Sequence, residues 1–468
     1  MTTFSPADSV PPAGELHRRG HIGLIVLASI AAGLVVGLVL VLGLFGGSSE
    51  AAIAGSALIS LGSGMLTLFL LAGRRTNQPQ PWALIPAVSL GALGLALLIL
   101  NSGDEVLRWT GWIWPLLLAL LVTWSVRGAR RSLDNWSRRA LLYPAFAVLG
   151  LVALGGAFET VAEATTSNSP LAGRTYLVDG HQLFLNCVGS GSPTVVLFNG
   201  LGERTPSWSW VQSAVARQTR VCVFDRAGQG WSGKALERQD GHQLAADLHG
   251  LLSVAHVPGP YVLAGHSVGG TYALAYAMDF PKETAGVALI DSASPHQFDL
   301  PMYPGFYSMW RRVGALLPSL ARAGIARLTS DLGFGGLPAD ARREARAFSS
   351  SPRELRADRD EFAQLPTVFG QTKALTTLDS TPLVVLTADL GQQPGWSAAQ
   401  TKLATLSTNS LHQTAHGATH AALLEDQSIS AATSRAIGDV VQAARSGVPL
   451  ARCAGRSRRG REDCFHLV

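Results

Sequence analysis

The sequence predicts two unlike parts in series: an α-helical transmembrane bundle of five spans, then an α/β domain with a mostly parallel sheet, helices on both faces and a helical cap. Three observations predict this. The first 160 or so of the 468 residues contain five long apolar runs free of charge. From residue 174 onward, short β-branched runs alternate with helical segments, the pattern of a parallel sheet covered on both sides. Within that second part the strand-like run Tyr261–Ala264 enters Gly265-x-Ser267-x-Gly269, and a helix-like run, Thr271–Met278, leaves it. A serine in so tight a strand-to-helix turn needs small neighbours, because flanking side chains would clash.

The apolar runs cover roughly 22–46, 51–73, 82–103, 109–126 and 140–158, each near the ~20 residues a bilayer-spanning helix needs. Five in series with short polar links separate this region from ordinary buried core helices. The first run is too long for a signal-peptide core. Arginines set the expected orientation. Arg18, Arg19, Arg74, Arg75, Arg127, Arg130, Arg131, Arg138 and Arg139 fall on one side, against Arg108 with Glu50, Asp104 and Glu105 on the other. The positive-inside rule then places segment 1–21 in the cytoplasm. After an odd number of spans, everything past residue 162 lies outside the cytoplasmic membrane. No Asp, Glu, Lys or Arg interrupts the runs, and such charges mark ion or proton paths, so region 22–162 reads as an anchor.

The formal charge of +5 needs no nucleic-acid partner. Its excess sits in the cytoplasmic loops and in the tail 447–468, at Arg452, Arg456, Arg458, Arg459 and Arg461. All four cysteines (Cys187, Cys222, Cys453, Cys464) fall in the exported part, where an oxidising environment lets pairs persist. Cys453 and Cys464 are spaced to close a small loop in the tail; the alternative is free thiols.

In the second part, spanning 170–446, the expected strands are 174–178, 182–188, 194–198, 220–224, 260–264, 286–290 and 383–387. Helical patterns cover 207–217, 241–255, 270–279, 397–406 and 428–445. Aromatic-rich helical sequence fills 296–378, an insertion whose natural reading is a cap. Gly228-Gln229-Gly230-Trp231-Ser232-Gly233 matches the dinucleotide fingerprint G-x-G-x-x-G, but the next helical pattern begins only near Asp240. No acidic residue ends a following strand at the ribose-contact distance, so the turn reads as loop-shaping.

Four motifs in order carry a family resemblance. They are Phe198-Asn199-Gly200-Leu201-Gly202 after the third strand, Asp225-Arg226-Ala227-Gly228-Gln229-Gly230-Trp231-Ser232 after the fourth, the Ser267 turn after the fifth, and a late histidine. Together they make the region resemble the α/β-hydrolase superfamily, of the serine esterase and lipase type with a cap after the sixth strand. The resemblance implies an eight-stranded type of sheet in which the strands of Cys187 and Cys222 are neighbours. It also implies an oxyanion hole from the backbone amides of Leu201 and Val268. The family often has histidine-glycine where this chain has Asn199-Gly200.

A serine hydroxyl is a poor nucleophile until an imidazole takes its proton and a carboxylate orients that imidazole. The family order is serine, acid, histidine. Ser267 is the expected nucleophile. His420, after Gly417-Ala418-Thr419 and before Ala421-Ala422-Leu423-Leu424, fits the base better than His416 or the more distant His412, and His266 reads as a packing residue. For the acid, Asp291 at the end of the sixth strand is favoured narrowly over Asp389 after the seventh. The expected activity is hydrolysis of a small-molecule ester, apolar or lipid-like, by acyl-enzyme chemistry with no cofactor or metal. Cap residues Phe298, Met302, Tyr303, Phe306, Tyr307, Met309 and Trp310 fit an apolar acyl or alkyl group. An acyltransferase on the same fold and a non-catalytic exported binding module are the alternatives.

Overall fold

The computed structural model describes residues 21–133, 139–165, 172–330 and 333–450. The chain divides into two compact units, Met1–Ala157 and Phe158–Val468.

The first unit is helical. Its elements are α1 (Ile22–Gly37, continued by a π-helical stretch Leu38–Leu44), α2 (Glu50–Arg75), α3 (Leu84–Leu100), α4 (Asp104–Thr110), α5 (Trp114–Ser132) and the start of α6 (Tyr143–Thr165). Among the described residues four helices are long and apolar enough to cross a membrane: Ile22–Leu44, Glu50–Arg75, Pro81–Leu100 and Tyr143–Thr165. The α4–α5 pair is bent by 51° and makes a fifth only if counted as one broken span. The span expected over 109–126 falls on this bent pair. The chain breaks at Gly111–Ile113, and Pro115 occupies the first turn of α5, where its missing N–H costs nothing. Helices α1, α2 and α3 approach through glycines, Gly33 against Gly64 and Gly55 against Gly94, the close backbone packing that helices use where lipid removes the hydrophobic drive.

The second unit is built on one eight-stranded sheet. Its strands are β1 (Arg174–Val178), β2 (His181–Val188), β3 (Thr194–Phe198), β4 (Val221–Asp225), β5 (Tyr261–His266), β6 (Thr284–Ile290), β7 (Leu383–Leu390) and β8 (Ser410–Thr419). Their order in space is β1-β2-β4-β3-β5-β6-β7-β8, with β2 antiparallel to both neighbours and the rest parallel. Alternate residues of the central strands feed two cores. Phe198, Phe224, Leu263 and Leu289 point to one face, against Leu244, Leu248, Tyr272 and Tyr276 of α8 (Gly241–Val254) and α9 (Val268–Asp279), once α7 (Ser209–Val215) is set aside for the opposite face. Leu197, Val223, Ala264 and Ile290 point to that opposite face, against Val211 of α7 and Ile437 and Val441 of the C-terminal helix Ser430–Ser446. Strands buried on both sides read as continuous apolar runs, which is why they were legible.

Two differences from expectation concern the sheet's last edge. The eighth strand of the expected sheet, β8, is not among the segments read from the sequence: it borders only β7, is half-exposed, and carries His412, Gln413, His416 and Gly417 in place of an apolar alternation. Strand β7 runs on to Leu390, so Asp389 lies within the strand instead of beyond it. Cys187 and Cys222 are register partners on β2 and β4 and form a disulfide. Cys453 and Cys464 fall outside the described residues.

Among the described residues, five α-helices form the insertion between β6 and β7: α10 (Tyr303–Gly314), α11 (Leu317–Arg322), α12 (Ile325–Ser330), α13 (Ala339–Ser350) and α14 (Pro352–Thr372). Two buried arginines hold α14 to the turns after β3 and β4. Arg204 pairs with Glu354 at 2.7 Å and Asp358 at 2.6 Å, and Arg226 pairs with Glu361 at 2.8 Å. Arg226 also donates to the carbonyls of Asn199 (2.5 Å) and Gly200 (3.0 Å) and lies over the Tyr272 ring. Removing one partner of a buried pair strands the other charge. Arg226→Ala is therefore expected to destabilise this unit by about 3–5 kcal/mol, read as a lower urea midpoint for unfolding monitored by tryptophan fluorescence.

Candidate active site

The sheet delivers the candidate groups to one edge, at the carboxyl ends of β3, β5, β6 and β8. Strand β5 ends at His266, and Ser267 stands alone between it and α9 with φ 56° and ψ −129°. That conformation is strained for a residue with a Cβ, and strain of this kind persists only where the surroundings impose it. The glycines around it are required by space. A Cβ on Gly265 would run into the Gly269 carbonyl, and one on Gly269 into the Phe198 carbonyl at the end of β3. The same closeness brings the Asn199–Gly202 turn alongside the first turn of α9, so Leu201 and Val268 lie on the two elements flanking Ser267.

His420 follows β8 directly. Its Nδ1 lies 2.6 Å from Asp291 Oδ2, a charge-assisted distance. Asp291 is 1 % exposed and has a left-handed backbone, φ 42°. Its other oxygen accepts from Trp396 Nε1 at 2.8 Å and from the Ala388 amide at 3.2 Å. Burial opposes ionisation of this carboxyl. The hydrogen bond and charge of His420, with the Trp396 donor, outweigh it and hold Asp291 below the usual carboxylate range. With Nδ1–H committed to Asp291, His420 presents Nε2 as its free, proton-accepting nitrogen. Among the described residues, Ser267 Oγ has no hydrogen bond to His420; such contacts often tighten only when substrate binds.

Asp389 and His416 form a separate pair at the surface. Asp389 Oδ2 meets His416 Nδ1 at 3.1 Å and its Oδ1 accepts from the Gly417 amide at 2.8 Å, while the His416 side chain is 86 % exposed. His412 is turned toward Thr387 at 2.8 Å. Asp225, in the motif after β4, is fully buried and accepts from the amides of Thr205 (2.8 Å) and Trp231 (3.0 Å), which shapes the loop.

The reading of His266 as a packing residue is corrected. It is buried, but its Nδ1 lies 2.5 Å from Glu203 Oε1 and its Nε2 lies 3.1 Å from the His420 carbonyl. Sequence reasoning also passed over Glu203, Arg226 and Trp396 as site residues. Glu203 left a faint signal, an acid closing a turn of Asn199-Gly200-Leu201-Gly202 in which every other residue is uncharged; Trp396 left none. Of the cap aromatics, Phe298, Tyr303 and Tyr307 pack together with Phe369 and Phe362. Met302, just before α10, and Phe306, Met309 and Trp310 within it are instead exposed.

Comparison with known proteins agrees with this architecture. Residues 193–375 match the family model described as alpha/beta hydrolase fold. The Bacillus subtilis protein YbdG is 28 % identical over 123 residues, 26 % of this chain and 38 % of YbdG. The dihydrolipoyllysine-residue acetyltransferase component of the acetoin cleaving system of Pseudomonas putida is 36 % identical over 105 residues, 22 % of this chain and 28 % of that protein. The chain thus spans less than two-fifths of the length of either relative. Among solved structures, the Cif epoxide hydrolase from Acinetobacter nosocomialis superposes with a TM-score of 0.50 at 14 % identity, covering 62 % of this chain and 96 % of that one. Strand order, elbow and family model agree that the domain following the apolar helices has the alpha/beta hydrolase fold.

Proposed function

We propose that this protein is a membrane-anchored serine hydrolase that cleaves an apolar or lipid-like carboxylic ester outside the cytoplasmic membrane. The observation that carries the reading is the 2.6 Å Asp291–His420 pair beside the strained elbow of Ser267. Ser267 Oγ attacks the ester carbonyl while His420 Nε2 takes its proton. Asp291 fixes the ring and stabilises the imidazolium that forms. The amides of Leu201 and Val268 receive the oxyanion, aided by the positive end of α9. His420 then returns the proton to the leaving alcohol, and a water activated in the same way releases the acyl group.

A serine at the elbow separates this chemistry from that of the epoxide hydrolase it resembles in fold, since that branch of the superfamily uses an aspartate nucleophile. The arginine asymmetry between loops and the Cys187–Cys222 disulfide support the extracytoplasmic placement. The exposed apolar side of α10 supports an apolar substrate. Purified full-length protein in detergent is expected to hydrolyse p-nitrophenyl esters, faster with longer acyl chains, and to leave styrene oxide unchanged. Epoxide turnover without ester turnover contradicts the reading. Acyl transfer to an added alcohol in preference to water replaces it with an acyltransferase.

A further inference from the structure

Beside the Asp291–His420 pair stands a second acid–histidine pair that the proposed chemistry does not use. His266, the residue before Ser267, is 1 % exposed and offers both ring nitrogens to acceptors: Nδ1 to the Glu203 carboxylate at 2.5 Å and Nε2 to the His420 backbone carbonyl at 3.1 Å. A carbonyl only accepts, so Nε2 carries a proton. A carboxylate facing Nδ1 asks for a second, which makes the ring an imidazolium paired with an anion. Electrostatics agree. Burial disfavours both charges, but each partner outweighs it, holding Glu203 below the usual carboxylate range and raising His266 above its ordinary value. The other charged or titratable groups facing the pair are His420, Asp291 and Glu425.

The second oxygen of Glu203 accepts from the Gly200 amide at 2.5 Å. One carboxylate and one imidazole thus span three separate pieces of the site. Glu203 grips the turn after β3 at Gly200, the residue before Leu201. His266 is covalently next to Ser267, and it grips the loop after β8 at His420 itself, with the two imidazole rings 4.3 Å apart. The Gly200 amide is taken up by Glu203, which leaves the next amide, that of Leu201, to serve an oxyanion. We propose that Glu203 and His266 are positioning residues that fix the oxyanion turn and the histidine loop to the serine between them. This inference rests on the reading of Ser267 and His420 as nucleophile and base.

The test uses the full-length protein with active sites counted by fluorophosphonate titration. A misplacement of about 1 Å in a reacting array costs up to about 100-fold. Glu203→Ala is expected to lower kcat per titrated site by about 10–100-fold, with KM moving less than about threefold, because the lost geometry is needed in the transition state more than in binding. Glu203→Gln keeps the acceptor for Gly200 and offers an amide donor to a neutral His266 that still donates to His420. It is expected to recover most of that loss. His266→Phe, which fills the space without donors, is expected to behave like Glu203→Ala. A wild-type kcat per titrated site in Glu203→Ala, with fewer sites counted, reduces the pair to a folding role and overturns the proposal. A Glu203→Gln enzyme as impaired as Glu203→Ala overturns it too. Failure of the underlying reading looks different: Ser267→Ala then retains turnover whatever the Glu203 variants do.

Discussion

Ser267→Ala is expected to lower kcat by about 10⁵–10⁶-fold, because removing the nucleophile of an acyl-transfer site forfeits all covalent chemistry and leaves only binding and the oxyanion donors. The side chain is small and its backbone already strained, so the change relieves no packing and leaves the fold intact; an unchanged urea midpoint verifies this. The strain itself supports the expectation. A φ of 56° at a non-glycine residue, maintained by glycines pressed against Phe198 and Gly269, has no packing benefit that alanine or glycine would not supply better.

The second large effect separates two carboxylates that the sequence leaves close to equal. Asp291→Asn preserves shape and keeps an acceptor for Trp396 and Ala388. It also faces His420 Nδ1 with an amide that no longer selects the productive tautomer, so kcat is expected to fall by about 10⁴-fold. Asp389→Asn breaks an exposed pair with His416 and is expected to stay within about threefold of wild type, since solvent-exposed pairs contribute little. Steady-state kinetics on one ester across both variants checks this, and equal losses contradict the assignment. The pH dependence follows from the direction of the Asp291 shift. A carboxyl held below its ordinary range stays ionised as pH falls and is protonated only below that range. The stabilisation it gives the fold is present above the ordinary carboxylate value and is lost only as pH drops through the lowered one. Protonation of Asp291 therefore lowers kcat/KM only below the ordinary carboxylate range, and Asp389→Asn leaves that loss where it is.

What the sequence disclosed, and what it hid, follows from how each element is buried. Strands β3 to β7 are covered on both faces and announce themselves as apolar runs. Strand β8 is an edge that carries two histidines and a glutamine, and what makes it a strand is its parallel pairing with β7 across an intervening helix, not a local apolar alternation. The elbow was legible because its glycines are local requirements. The choice between Asp291 and Asp389 was not, because it depends on where the end of β8 sets His420, and on Trp396, which reaches Asp291 from beyond β7. His266 looked like filler because an apolar neighbourhood in sequence gives no hint of Glu203, which is 63 residues away. The buried pairs of Arg204 and Arg226 with α14 were hidden in the same way, as charges in an amphipathic helix read as solvent-facing until the partner surface is known.

The central claim is that Ser267 is an activated nucleophile. The most direct measurement is to treat the full-length protein with a fluorophosphonate and map the adduct by peptide mass spectrometry. A single phosphonyl group on the peptide containing Ser267, absent from Ser267→Ala and strongly slowed in His420→Ala, is the predicted result. An unlabelled Ser267, under conditions that fully label a control serine esterase, contradicts the account.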